Sequence, residues 1–156
     1  MQKIDSLNQV AEFHRIFKAP ILKTPQIPSI DRCELRINLI AEELRELQEA
    51  IDNQDLIEIA DALCDIQYVL SGAVLEFGLG DKFVDLFNEV QRSNMSKACN
   101  SYEEAEATVA HYAKKDGTSA EIMQDGDKFL VYRIIDNKVL KSVKYSPANL
   151  KGILDR

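Results

Sequence analysis

The chain has 156 residues, 46% apolar and 29% charged, with 26 acids against 19 lysines and arginines and a net charge of −7. That length fits one domain, or one domain with a small appendage, and the apolar fraction excludes wholesale disorder. An acidic chain lacks the basic face that nucleic-acid polymers or anionic membranes require, but it leaves room for a small anionic substrate held through metal ions.

Residues 5–18 carry Leu7, Val10, Ala11, Phe13, Ile16 and Phe17 at mostly helical spacing and predict a first amphipathic helix. The opening residues lack the basic segment and apolar run of a signal peptide. Pro20, Pro25 and Pro28 make residues 19–29 an extended connector. A second helix begins near Ser29 or Asp31 and runs to about Ile51, where Asp52-Asn53-Gln54 breaks it. Asp55 caps a third helix reaching about Phe77, and Gly78-Leu79-Gly80 ends it. The least charged run in that helix, residues 62–75, contains Asp65 and is too short to span a membrane. Asp81 caps a fourth helix over residues 82–93.

Beyond Asn100 the character changes. Ser101 with Glu104 forms a capping-box pattern for a helix over residues 102–115. Three β-like runs follow, 120–123, 129–135 and 139–143, separated by Asp125-Gly126 and Asp136-Asn137, and predict a meander of two or three strands. The expected fold is mainly α: a four-helix-bundle-like core over residues 1–100, with a small helix plus β-meander extension over 101–156. Cys33, Cys64 and Cys99 form no CxxC or Cys/His cluster, so the expectation is a cytoplasmic protein with reduced thiols.

The acids are unevenly placed. Between Glu42 and Asp65 stand nine acids and one base, Arg45. At about 100° per residue, Ile40, Leu44, Leu47 and Ile51 form one apolar stripe on the second helix, expected to face a core. Glu43 lies at its edge and Glu46 one step further round, both drifting toward the interior, whereas Glu42 and Glu49 fit a solvated face. On the third helix Glu58, Asp61 and Asp65 fall on one stripe about 60° wide, amid apolar residues on most other sides. A helix apolar all round is expected to be buried, and buried carboxylates cost several kcal/mol unless paired, protonated or bound to metal. Glu58 as the far half of a capping box, or Asp65 in an interhelical hydrogen bond, explains either alone but not Asp61 beside them. Carboxylate-only donors favour Mg²⁺ or Mn²⁺, and His14 and His111 lie outside both acidic helices, which argues against di-iron and zinc centres. Mg²⁺ in turn partners phosphates, and no P-loop pattern is present.

Glu42-Glu43-x-x-Glu46, an 11-residue interval, then Glu58-x-x-Asp61 resembles the EExxE…ExxD signature of the all-α nucleoside triphosphate pyrophosphohydrolases. AEFHRIF, DALCDIQYVLSGAVLEFGL, VQRSNMSK and the ending KVLKSVKYSPANLKGIL are similar to the phosphoribosyl-ATP pyrophosphohydrolase-like branch of that MazG-like superfamily. The similarity spans residues 7–100 and 138–154, and 101–137 reads as an insertion. The resemblance implies Mg²⁺-dependent hydrolysis of a nucleoside triphosphate to the monophosphate and pyrophosphate. It implies Glu43, Glu46, Glu58 and Asp61 as metal ligands, Glu42 holding metal or orienting the attacking water, and Asp65 as an outer ligand. Asn38 would face base or sugar. Arg92, Asn94 and Lys97 would reach the triphosphate, or else Arg92 and Lys97 complement a helix dipole. Tyr68 stacks on a base or packs in a core or interface. Family members assemble as dimers or tetramers, so a homo-oligomer is expected. A helical interaction protein without turnover, and a phosphoribosyl-ATP hydrolase, are the competing readings.

Overall fold

The computed structural model describes residues 4–156. The chain is mainly helical and divides into two compact units, the first ending at Phe83 and the second being Val84–Arg156. Charge divides along the same line. Up to Phe83 there are fifteen acids and eight lysines or arginines, whereas Val84–Arg156 has eleven of each. The whole excess of negative charge therefore belongs to the first unit.

That unit is built from α1 (Ser6–Phe17), α2 (Ile30–Asp52) and α3 (Leu56–Glu76). The Asp55 carboxylate accepts from the Ile57 and Glu58 amides and starts α3 where the sequence predicts. Val10 and Ala11 of α1 pack on Leu75 of α3, with Ile21 of the connector closing the cluster. The proline-rich connector is stitched to the end of α3: the Leu22 amide donates to the Leu75 carbonyl and the Gln26 amide to the Phe77 carbonyl. Gly78, at φ +67°, passes directly beneath the Thr24 carbonyl. A single 3-10 turn, Gly80–Lys82, follows.

The start of α2 meets the end of α3, so the two helices run antiparallel. Arg32 pairs with Glu76, and Gly72 abuts Arg36. The packed face of α2 differs from the expected one. Its buried residues are Arg36 and Ala50, spaced two heptads apart with Glu43 midway, whereas Leu44 and Ile51 stay exposed. The helix is thus rotated by more than half a residue step from the reading that put the apolar stripe against the core. The buried Arg36–Glu76 ion pair and the close approach at Gly72 fix this orientation. The displaced stripe lines an open groove of about 580 Å³ between Ala41, Leu44, Leu47 and Ile51.

The expected burial of α3 also needs correction. Leu56, Ile57, Leu63 and Leu70 remain exposed. Among the described residues of this unit α1 and α2 are the helices packed extensively on α3, and two neighbouring helices cannot cover a helix that is apolar on most sides.

The second unit contains most of α4 (Phe83–Met95), then α5 (Tyr102–Asp116), β1 (Ala120–Asp125), β2 (Lys128–Arg133) and α6 (Leu150–Leu154). The Ser101 hydroxyl caps α5 by accepting from the Glu104 amide, while the Glu104 carboxylate accepts from the Asn100 amide rather than that of Ser101, so only half of the predicted capping box forms. β1 and β2 pair antiparallel across the Gly126 turn, from Asp125 opposite Lys128 to Ala120 opposite Arg133. The predicted third strand is reduced to one bridge, Val139 with Tyr132. Beyond it the Ser142 hydroxyl donates to the buried Glu104 carboxylate and draws the chain away from the sheet toward α5. Cys99, Ala105, Val131 and Leu140 form the core. α6 was not anticipated; the side chain of Asn149 caps it by accepting from the Gly152 amide. All three cysteines are free. Among the described residues no single helix is long and apolar enough to cross a membrane.

Candidate active site

The antiparallel α2–α3 pair is electrostatically polarised along its length. At one end the register sets cations against an anion. Arg32 and Arg36 both donate to Glu76, which is fully buried, and Arg36 also lies 3.4 Å from His14 Nε2. Burial alone would raise the Glu76 carboxyl, but the two arginine hydrogen bonds outweigh it and hold the group below its ordinary range. His14 Nδ1 lies 2.8 Å from the Pro20 carbonyl oxygen, tying α1 and the connector into the same cluster.

At the other end the same register sets acids against acids. Continuing it from Arg32–Glu76 brings Glu43 of α2 level with Asp65 of α3, and Leu47 level with Asp61. Glu43 carries the consequence. Its carboxyl is pushed up, first by burial and then by the charges of Glu46, Asp65, Glu42 and Asp61. Its Oε2 is buried and has no hydrogen-bond partner among the described residues. An orphaned carboxylate oxygen amid four other carboxylates is costly in the metal-free protein and suits a divalent cation, because the donor set is all oxygen. Among the described residues no three such groups already converge on one point, so the acids share a face without forming a finished cage.

The remaining candidates fall as follows. Glu42, Glu46, Glu58 and Asp61 are exposed, Asp65 is half-buried, and Asn38 is exposed on α2. Glu58 is absent from the charges that act on Glu43 and lies in the first turn of α3. Tyr68, one turn after Asp65, meets the edge of the Phe13 ring of α1. Arg92, Asn94 and Lys97 lie in the second unit. There the Arg92 guanidinium is engaged by Glu89 and by the Ser146 and Pro147 carbonyls, and Lys97 donates to Asn94. That pairing, with the Asn149 amide, lowers Glu89 to about 2.

The Arg32–Arg36–Glu76–His14 cluster was not expected from the sequence. Its signal was present: two arginines one turn apart, and a lone glutamate in the otherwise apolar stretch AVLEFGLG.

The mainly helical fold and the sequence belong to the all-α nucleoside triphosphate pyrophosphatases, the MazG-like superfamily. Within it, the model of the phosphoribosyl-ATP pyrophosphohydrolase family matches residues 10–94, more than half of the chain, and the chain belongs to that family. It is by that membership a pyrophosphohydrolase of nucleotide-like substrates. It is also similar to an uncharacterized protein of Acanthamoeba polyphaga mimivirus, at 23% identity over 99% of this chain and 97% of the viral one.

Proposed function

We propose that the protein hydrolyses a nucleoside triphosphate between the α and β phosphates, releasing the monophosphate and pyrophosphate, with Mg²⁺ or Mn²⁺ as cofactor. The observation that carries this reading is the buried, unpartnered Oε2 of Glu43, whose carboxyl is pushed up by burial and by four neighbouring acids. Glu43, Glu46, Glu58 and Asp61 hold the cation, and Asp65 supports it from outside. When bound, the cation neutralises phosphate charge and lowers the pKa of a coordinated water. Glu42, exposed one residue before Glu43, accepts the proton of the attacking water. Water adds across one phosphoanhydride bond, so one nucleotide gives two products and no other reactant is consumed. Tyr68 and Asn38 contribute to base and sugar. A second copy covers the groove around Leu44 and Ile51, giving a homodimer or homotetramer.

The test is pyrophosphate release from a panel of ribo- and deoxynucleoside triphosphates, with phosphoribosyl-ATP beside them, in Mg²⁺, Mn²⁺ and EDTA. Cation-dependent release from a free nucleotide is the expected result. Turnover of phosphoribosyl-ATP far above every free nucleotide would transfer the assignment to that substrate, the one the family's name specifies. Silence on the whole panel would remove the proposal.

A further inference from the structure

Three aromatic rings stand together on the outside of the first unit. Phe13 and Phe17, one turn apart on α1, stack with centroids 4.3 Å apart at 30°. Tyr68 of α3 meets Phe13 edge-on, 5.7 Å away at 85°. They remain 41%, 66% and 37% exposed, respectively. The α1–α3 contact does not need them, because Val10 and Ala11 against Leu75 already form its core. A joined, outward-facing aromatic cluster of this kind presents π faces to whatever lies above it.

Its position narrows what that is. Tyr68 follows Asp65 by one turn and Asp61 by two on the same helix, rises of about 4.5 and 10.5 Å. On a helical wheel Tyr68 falls between the stripe of α3 that faces α2 and the stripe that faces α1. Rings and carboxylates therefore adjoin one another along α3, as base and phosphates adjoin along a nucleotide with one sugar between them.

We propose that Phe13, Phe17 and Tyr68 form a stacking platform for the nucleobase of the substrate. This rests on the pyrophosphohydrolase reading for the placing of the phosphates. The occupant is a base rather than a second copy, since the rings adjoin the carboxylate stripe of α3 within the length of one nucleotide, whereas the face assigned to a second copy is the Leu44–Ile51 groove of α2. Stacking on rings tolerates any base, because every base has a π face. The platform thus provides affinity for nucleosides over sugar phosphates, with little choice among bases.

The experiment uses the whole chain in EDTA, so that no turnover is involved. Saturation-transfer NMR and calorimetry compare purine and pyrimidine nucleoside monophosphates with ribose 5-phosphate. The expected result is saturation of base protons and nucleotide affinity well above that of ribose 5-phosphate. Phe17→Ala, at an exposed position, should weaken nucleotide binding roughly tenfold, the scale of one lost stacking contact. Phe17→Leu should lose most of the same affinity, since it keeps apolar surface but not the π face. Equal binding of ribose 5-phosphate, or undiminished nucleotide binding by Phe17→Ala, would overturn the platform. So would a change in oligomeric state by Phe17→Ala with binding intact, which would assign the patch to a subunit contact. Base-dependent binding without pyrophosphate release from any nucleotide would sink the catalytic reading and leave the platform standing.

Discussion

Gly72 and the Arg36 guanidinium compete for one space: a Cβ on Gly72 would stand 2.6 Å from Arg36 Nη1 and 3.1 Å from His14 Nε2. A long side chain can usually swing away from such a clash, but Arg36 is buried and held by Glu76. Gly72→Ala should therefore cost about 1–3 kcal/mol, the usual penalty of overpacking, rather than gain the helix propensity of alanine. Urea denaturation of the two proteins measures it. A stabilised variant would mean that the helices do not approach as closely as described.

Glu76 itself is the anion on which two arginines depend. Glu76→Leu would leave Arg36 buried without a counter-charge and should cost about 3–5 kcal/mol. The pH dependence follows from the lowered carboxyl of Glu76 in the folded protein. The unfolded chain binds its proton more readily, so this contribution is complete above the ordinary glutamate range, near pH 4.3, and is lost as pH falls through the folded value. Thermal melts between neutral pH and pH 3 should show a steeper acid loss for the native protein than for Glu76→Leu.

Much of this arrangement was legible in the chain, and what was not has a common cause. Helix boundaries followed from local signals such as Asp55, Gly78 and the Ser101 cap, each of which acts within a few residues. The rotation of α2 did not, because the apolar stripe of Ile40, Leu44, Leu47 and Ile51 is the side that local hydrophobicity marks for burial. A buried ion pair between residues 40 positions apart outranked that stripe. The same pairing carried Glu43 onto the packed face, where the sequence had placed it only at an edge. The third strand was lost to Ser142, whose partner Glu104 lies 38 residues away. Periodicity reports local preference; it is blind to a polar group whose partner lies far along the chain.

Gly78 gives a separate test of how the connector is anchored. At φ +67° its added Cβ would lie 2.0 Å from the Thr24 carbonyl oxygen, a backbone atom that cannot rotate aside. Strain and clash together should make Gly78→Ala lose about 2–4 kcal/mol. Because the Leu22 and Gln26 amides donate to the end of α3, their hydrogen exchange should accelerate more than that of amides in the middle of α2. Uniform acceleration would show that the connector is not locally pinned.

The acid cluster makes the sharpest prediction, because stability and activity should move in opposite directions. Without metal, Glu43 is half-buried with one orphaned oxygen and four carboxylates nearby. Glu43→Gln removes that repulsion while keeping the shape, so the metal-free variant should melt above the metal-free native protein. Millimolar Mg²⁺ or Mn²⁺ should raise the native melting temperature, since a ligand bound by the folded state alone stabilises it, and should shift Glu43→Gln far less. Glu46→Gln and Asp61→Asn, both at exposed positions, should fold normally and abolish cation-dependent pyrophosphate release. Calorimetric melts in EDTA and in metal, run beside the release assay, read both arms. Near-normal turnover by Glu46→Gln or Asp61→Asn would show that these carboxylates do not hold the catalytic cation. A Glu43→Gln protein less stable than the native one in EDTA would show that its oxygen has a partner the acid cluster does not explain.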